Sequence, residues 1–250
     1  MSRYARQMSG QSATPPDISV TSQDYRSAQA AWLSMHDNAP HPWLCIPLAD
    51  YEAHMALPAV GQAQMLATLF HASLLEYFPR SVALIGCAGG NGLEHVAGTS
   101  TTRVVAIDIN PQFVEAVRAR FRRVIPELEP VVADIQALSH PVSPVDLIFA
   151  GLLFEYVDVE QTFRQMHSML NPGGRIVSVI QLASAIPEVT PSPYISLSVL
   201  STAIRIVSPS TLQAHAEHVG LHEMRTATVT ASGGKEFQVQ VFLKAQGEQQ

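Results

Sequence analysis

The sequence predicts an α/β fold: a doubly wound, mostly parallel sheet of seven strands that closes in a C-terminal antiparallel hairpin. Three observations predict it. Short runs that are apolar almost throughout alternate with helical segments, as expected of parallel strands buried on both faces. A glycine-rich turn, GCAGGNG at 86–92, follows the first run. The chain then ends in two β-like runs joined by SGGK at 232–235, which is a hairpin signal.

Composition limits the class of protein. The 250 residues are 47% hydrophobic and 14% charged, enough for one large core plus a helical extension. A formal net charge of -6 argues against a broad nucleic-acid surface, which needs clustered Lys and Arg. No apolar run has the length of a signal-peptide core or a bilayer span, so we expect a cytoplasmic protein. Cys45 and Cys87 predict no disulfide framework, and Cys87 is expected to be a small space-filler.

Three segments are expected along the chain: a flexible N-terminus at 1–21, a helical extension or lid at 22–79, and an α/β domain at 80–250. Apolar residues at helical spacing predict helices over 23–35 and 60–78. Prolines make a long helix between these two improbable. They are Pro40, Pro42, Pro47 and Pro58.

The α/β domain alternates strands and helices until its last two runs. Strands are predicted at 82–85, 104–107, 131–133, 145–149 and 175–180, and the hairpin strands at 222–230 and 237–244. Helices are predicted to begin at Gly92, at Gln112 after the cap Asn110, at Asp158 and at Ser208.

Polar residues at the carboxyl ends of the strands predict a nucleotide-type site. Ligands of open parallel sheets bind beyond those ends, where the strand order reverses. The glycines let backbone N–H groups approach a ligand closely. Asp108 ends the second strand, where its carboxylate can accept bonds from both ribose hydroxyls. Asp134 follows the third strand and can accept from the exocyclic amine of an adenine.

From about 81 to 244 the sequence resembles the class I (Rossmann-like) S-adenosylmethionine-dependent methyltransferases. The resemblance rests on VALIGCAGGNG, VVAIDIN, VVADIQAL, PVDLIFAGLLFEYV and LNPGGRIVSVI at the five strands, and on the closing hairpin. It implies an enzyme that methylates a small molecule, a natural product or other secondary metabolite being one candidate, and releases S-adenosylhomocysteine. The implied cofactor contacts are Gly86, Ala88, Gly90, Asn91, Asp108, Ile109, Asp134, Ile135 and Gly151.

Two positions depart from the family's pattern. Leu84 stands two residues before the first glycine, where the family usually has an acid that contacts the cofactor's amino group. Ala88 stands where glycine is common. We expect another acid to substitute for the missing one, and Glu52 is the candidate.

The acceptor site is expected between the N-terminal extension and the loops after the fourth and fifth strands. Candidate catalytic residues are Glu52, His54 and Tyr156, and candidate substrate contacts are Tyr51, Glu155, Tyr156 and Tyr194. A general base is needed only if the acceptor is protonated. The competing interpretation of 50–55 is an ordinary solvent-exposed polar segment. The competing interpretation of 190–201 is a long surface loop without a role in binding.

Other features predict less. His215 and His218 share a helix face without further ligands, so no metal is expected. The arginines at 118, 120, 122 and 123 predict a solvated helix surface, and Trp43 predicts core or lid packing.

Two other functions stay open. An NAD(P)-dependent oxidoreductase also pairs glycines with a downstream acid, although Asp134, the hairpin and the lack of a Tyr-x-x-x-Lys pair disfavour it. Leu84 favours a protein that binds S-adenosylmethionine without turnover. We expect a monomer or homodimer that binds neither nucleic acid nor membrane.

Overall fold

The computed structural model describes residues 41–138 and 141–246. The predicted flexible N-terminus and the predicted helix at 23–35 lie outside the described residues. The strands are β1 (Ser81–Ile85), β2 (Arg103–Asp108), β3 (Glu127–Val132), β4 (Val145–Gly151), β5 (Leu170–Gln181), β6 (Leu221–Thr230) and β7 (Glu236–Lys244).

These strands form one sheet in the order β3-β2-β1-β4-β5-β7-β6. The first five strands are parallel, and β7 runs antiparallel to both of its neighbours. Because β6 therefore runs in the direction of β1–β5, the turn between β6 and β7 lies at the carboxyl edge of the sheet. The predicted sheet and closing hairpin are confirmed.

Five α-helices accompany the sheet in the described part of the chain. They are α1 (Leu48–Ala56), α2 (Gln62–Tyr77), α3 (Pro111–Phe121), α4 (Val159–Ser168) and α5 (Pro209–His218), and 3-10 helices occupy Pro42–Cys45, Leu93–Val96, Ile135–Ala137 and Ile195–Thr202. The side chains of Asn110, Asp158 and Ser208 accept backbone N–H bonds at the starts of α3, α4 and α5, as predicted. None of these helices has the length and hydropathy needed to cross a bilayer.

The prolines of the N-terminal extension bound a short helix. Pro47 caps α1, and the helix ends before Pro58 after nine residues. Proline is tolerated at a helix start because the N–H it lacks would have no partner there. The same prolines exclude a long helix but leave room for this one, which the sequence did not predict.

The third strand was wrongly placed. It was predicted at 131–133 and is observed at Glu127–Val132, because β3 is an edge strand paired only with β2. The glutamates at 127 and 129 and the proline at 130 break the apolar pattern from which a buried strand is predicted. An edge strand tolerates both residue types. The helix predicted from Gly92 is a single 3-10 turn, Leu93–Val96.

Successive side chains of β1 point to opposite faces of the sheet and pack into two separate parts of the core. Val82 and Leu84 pack with Phe70 of α2 on one face. Ala83 packs with Phe163 of α4 on the other. Leu84 is therefore a core residue on the α2 face, where burying a leucine contributes about 1.5–3 kcal/mol.

Candidate functional site

The glycine-rich turn leaves β1 in left-handed backbone geometry. Gly86 has a φ of 69° and Gly90 a φ of 87°, values that glycine adopts without strain. Ala88 has a φ of 45° in the same region, where a Cβ is strained. The N–H groups of Gly86 and Cys87 donate to the carbonyl of Ile107 at 2.9 and 3.0 Å. The turn is thereby fixed against the end of β2.

Asp108 joins this turn to the next helix. Its Oδ2 accepts from the Ala88 N–H and its Oδ1 from the Asn110 N–H, both at 2.9 Å. Burial raises the pKa of Asp108, and the backbone bonds oppose that rise. Each carboxylate oxygen can accept more than one hydrogen bond, so the group keeps acceptor capacity for a ligand. This geometry suits a vicinal diol held at the end of β2.

A first cavity of about 660 Å³ lies beyond the carboxyl ends of β1, β2 and β4. Seven of the nine predicted cofactor contacts line it: Gly86, Ala88, Asp108, Ile109, Asp134, Ile135 and Gly151. Asp134 is held in place because its Oδ1 accepts from the Gln136 N–H at 2.9 Å. Gln136 in turn accepts from the Asp158 N–H at 2.7 Å, which ties this wall to α4.

Gly90 and Asn91, the other two predicted contacts, lie outside this cavity and line an open depression beside it. A Cβ on Gly90 would stand 2.6 Å from the Phe121 ring, so this glycine permits α3 to pack. The Asn91 amide donates to the Ala63 carbonyl at 2.9 Å and holds α2 against the turn.

Two residues before α1 line the first cavity, although the sequence assigned neither to the cofactor. His41 lies there with its pKa lowered by burial. Trp43 makes edge contacts with Tyr51 at 5.5 Å and Tyr156 at 5.1 Å between ring centroids. The proline-rich segment contains no regular pattern that could have pointed to them.

An open side depression continues from the first cavity past Gly86 and Ala88. Glu52 and Arg120 form a two-pronged ion pair there, and the Arg120 Nη1 also donates to the Gly89 carbonyl at 2.9 Å. The hydrogen bonds that Arg120 donates to Glu52 raise the pKa of Arg120. Arg120 is exposed on the surface of α3, as expected, and it also lies above the glycine-rich turn. Leu84 lines the same depression as Glu52.

A second cavity of about 500 Å³ adjoins the first. It is built from α1, the loop after β4, the end of β5 and residues 188–204. Its walls include His54, Met55, Glu155, Gln181, Thr190, Leu197 and Leu200. Among the described residues, four line both cavities and form the boundary between them: Trp43, Tyr51, Leu152 and Tyr156.

Glu155 is the most deeply buried acid of the second cavity, at 1% exposure. Its Oε1 accepts from the Gln181 N–H at 2.6 Å, whereas Oε2 has no hydrogen-bond partner among the described residues. Burial raises its pKa to about 7 against the lowering effect of the Gln181 N–H. A buried carboxyl with one free oxygen and a pKa near neutrality can hold or accept a proton.

His54 lies in the same cavity at 4% exposure, and its Nδ1 is 2.8 Å from the Ser192 Oγ. Burial, followed by the charge of Lys235, lowers its pKa to about 4. The imidazole is therefore neutral near pH 7 and suits hydrogen bonding better than proton abstraction. Burial raises the pKa of Tyr51 and of Tyr156 well above the usual value, so both phenols keep their protons.

The hairpin turn anchors segments that line the second cavity. Lys235, 2% exposed, donates through Nζ to the carbonyls of Pro187 and Glu188 at 2.8 and 2.9 Å. It also donates to the Gln181 Oε1 at 3.2 Å, and burial lowers its pKa to about 8. The Ser232 hydroxyl donates to the Pro58 carbonyl at 2.9 Å. The sequence SGGK predicted only a turn, yet it anchors the loops on both sides.

Tyr194 does not line either cavity of the described structure. It packs against an apolar cluster that includes Ile46 and Leu197. Its neighbours Thr190, Leu197 and Leu200 do line the second cavity, so the segment shapes a pocket without that tyrosine.

Comparison with known proteins agrees with this architecture. Residues 82–174 match the family model of a methyltransferase domain. The ubiquinone/menaquinone biosynthesis C-methyltransferase UbiE of Enterobacter sp. (strain 638) is 31% identical over 123 residues, 46% of this chain. The match spans 48% of that relative, or about half of its length.

Solved structures share the fold at low identity. The N-methyltransferase NodS of Bradyrhizobium japonicum WM9, in complex with S-adenosylhomocysteine, superposes with a TM-score of 0.56 at 18% identity, over 87% of this chain and 98% of that one. The [4+2]-cyclase SpnF gives a TM-score of 0.57 at 14% identity, over 73% and 82%. Residues 82–174 are thus similar to a methyltransferase domain, and the seven-stranded sheet has the Rossmann-like fold of solved S-adenosylmethionine-dependent methyltransferases.

Proposed function

We propose that this chain transfers a methyl group from S-adenosylmethionine to a small molecule. The observation that carries the proposal is the shared boundary of Trp43, Tyr51, Leu152 and Tyr156 between the two cavities. When bound, the cofactor supplies an electrophilic sulfonium methyl. Two compartments that meet at one wall can hold donor and acceptor in contact, and such positioning supplies much of the rate of a displacement.

The first cavity fits the adenosyl part of the cofactor. Asp108 keeps acceptor capacity for the ribose hydroxyls, and Asp134 lines the same cavity and can accept from an adenine amine. Ile109 and Ile135 supply the apolar walls that a planar base needs.

The side depression fits the amino-acid end of the cofactor. Leu84 leaves no acid at the end of β1, but Glu52 and Arg120 present a carboxylate and a guanidinium above Gly89. In this proposal Glu52 receives the ammonium and Arg120 the carboxylate of the methionine part. Glu52 is then a binding residue, which removes it from the candidates for a general base.

The strand order disfavours the oxidoreductase alternative, because an antiparallel β7 lies between β5 and β6. The cytoplasmic location and the monomeric or dimeric state stay predictions.

Calorimetry with S-adenosylhomocysteine and with NAD tests the cofactor directly. We expect S-adenosylhomocysteine to bind and NAD to give no heat of binding. Glu52→Gln should weaken S-adenosylhomocysteine, whereas Glu115→Gln, an exposed change on α3, should leave its affinity unchanged. Binding of NAD alone would refute the proposal.

Turnover needs a separate test, because binding does not establish methyl transfer. The protein is incubated with methyl-labelled S-adenosylmethionine and a metabolite extract, and labelled products are sought by mass spectrometry. Labelled small molecules that depend on the protein support an enzyme. Cofactor binding without any labelled product supports the non-catalytic alternative.

A further inference from the structure

The free oxygen of Glu155 is an unusual feature of the second cavity. Buried polar atoms are nearly always paired, because an unpaired one costs the free energy of its lost hydration. Glu155 Oε1 is paired with the Gln181 N–H, and Oε2 has no partner among the described residues. Its surroundings in the cavity are mainly apolar and aromatic: Trp43, Leu152, Tyr156, Leu197 and Leu200.

From this geometry we infer that the second cavity takes a largely apolar, planar acceptor whose hydroxyl group donates a hydrogen bond to Oε2 of Glu155. The inference rests on the proposed function and names the substrate class of the same site. Glu155 is then the residue that selects the acceptor. An ether or hydrocarbon of the same shape would leave Oε2 unpaired, and sites built for a hydroxyl discriminate strongly against analogues that lack it.

The charges around Glu155 favour a neutral hydroxyl over a cationic amine. Gln181 connects Glu155 to Lys235, since its backbone donates to the acid and its side-chain oxygen accepts from the lysine. The charge of Lys235 also reaches His54 in the same cavity. A cationic ligand in this cavity would add a second positive charge beside His54, whereas a neutral hydroxyl adds none.

The same contact places Glu155 to receive the proton during O-methylation. The O–H bond breaks and its proton moves to Oε2, while the oxygen forms the new O–CH3 bond. The electron pair of the broken S–CH3 bond stays on the sulfur of the proposed donor. The step needs no other reactant, and the proton leaves Glu155 to solvent before the next acceptor binds.

Substituting glutamine reverses the polarity of this contact. In Glu155→Gln the side-chain oxygen can keep its bond to the Gln181 N–H, so the amide NH2 takes the place of Oε2 and donates. Three probes of one ring system then report on the site: 2-naphthol, 2-methoxynaphthalene and 2-(aminomethyl)naphthalene. Their affinities are measured by calorimetry at pH 8 in the presence of saturating S-adenosylhomocysteine.

We expect wild type to bind 2-naphthol at least tenfold more tightly than the other two probes. Glu155→Gln should lose that preference and bind the ether as well as or better than the naphthol, with S-adenosylhomocysteine affinity unchanged. Glu217→Gln, which changes an exposed carboxylate of α5 that lines neither cavity, should keep the preference of wild type.

Three results would overturn the inference. They are equal affinity of wild type for naphthol and ether or no binding of either, tightest binding of the cationic amine, and equal loss of all ligands in Glu155→Gln. Because S-adenosylhomocysteine is measured separately, failure of the cofactor site is distinguishable from failure of this inference.

Discussion

The two cavities differ in how their acids are satisfied. In the first cavity both oxygens of Asp108 accept backbone N–H bonds, so the acid is part of the scaffold before any ligand arrives. In the second, Glu155 has one oxygen bound and the other free. The first cavity is thus a preorganised receptor for an invariant ligand. In the second cavity, the free oxygen of Glu155 needs a hydrogen-bond donor that the substrate must supply. The first cavity thus serves cofactor binding, and the second serves the choice of acceptor.

The largest expected effect is a dependence of stability on pH that arises from Glu155. Burial raises the pKa of Glu155 from 4.5 to about 7 in the folded state. The resulting stabilisation is fully present below pH 4.5 and is lost as the pH rises through 7, a change on the order of 3 kcal/mol. Glu155→Gln removes this dependence. We therefore expect wild type to lose stability relative to the variant between pH 4.5 and 8.

Neighbouring groups titrate in the same pH range. The prediction therefore concerns the difference in unfolding free energy between wild type and Glu155→Gln. His54, with its pKa lowered to about 4, contributes stability above pH 6.5 that is lost as the pH falls through 4. In wild type the pH dependence from His54 runs opposite to that from Glu155. In Glu155→Gln only the contribution of His54 remains. The other groups near the cavity are Tyr51, Tyr156, Glu188 and Lys235. Denaturant unfolding at several pH values measures the difference, and a constant value would contradict a raised pKa of Glu155.

Asp108→Ala should act on the first cavity alone. Removing this buried acceptor should weaken S-adenosylhomocysteine by about 1–3 kcal/mol, measured by calorimetry. Asp146→Ala is the matched control, because Asp146 accepts from the N–H groups of Arg80 and Ser81 at the opposite edge of the sheet. It should lower stability without changing affinity. Unchanged affinity in Asp108→Ala would remove this residue from the cofactor site.

Lys235→Met should act on the second cavity. We expect a loss of about 1–2 kcal/mol in stability, because three lost bonds are partly offset by relief from burying an ammonium. Hydrogen exchange of residues 186–192 should quicken while S-adenosylhomocysteine affinity stays the same. In Lys244→Met, where the lysine binds the carbonyls of His167 and Leu170 instead, that exchange should not change. Equal exchange in both variants would show that Lys235 does not anchor the loop.

Ala88→Gly should produce the smallest change. Ala88 holds a φ of 45°, which costs about 1–2 kcal/mol for a residue with a Cβ. Glycine removes this strain but adds about 0.4–1 kcal/mol of unfolded-chain entropy. We expect a gain below about 1 kcal/mol in thermal unfolding and unchanged cofactor affinity. Gly86→Ala is the reciprocal control and should destabilise, since Gly86 has a φ of 69°.

The cofactor side was more predictable from the sequence than the acceptor side. Its residues follow directly from strands, so an apolar run that ends in Asp108 fixes the position of that acid. The parts that failed, β3 and the 3-10 turn at Leu93–Val96, lack a clear periodicity. An edge strand with glutamates and a proline does not resemble a buried one.

The second cavity depends on contacts that the sequence does not encode locally. Glu155 was proposed as a substrate contact, and its place in the apolar run LLFEYV is the signal that supports it. Its pairing with Gln181 arises because β4 lies beside β5, and the role of Lys235 arises because β7 inserts beside β5. The roles of Glu52 and Arg120 likewise depend on α1 and α3 meeting above Gly89.

The most direct test of two cavities with one shared wall is a crystal structure with S-adenosylhomocysteine. We expect the ribose hydroxyls on Asp108, the adenine beside Asp134, and the amino-acid end near Glu52 and Arg120. The sulfur should lie at Tyr51 and Tyr156 and face the cavity of Glu155. A ligand bound elsewhere, or a sulfur directed away from that cavity, would contradict the proposed arrangement of donor and acceptor.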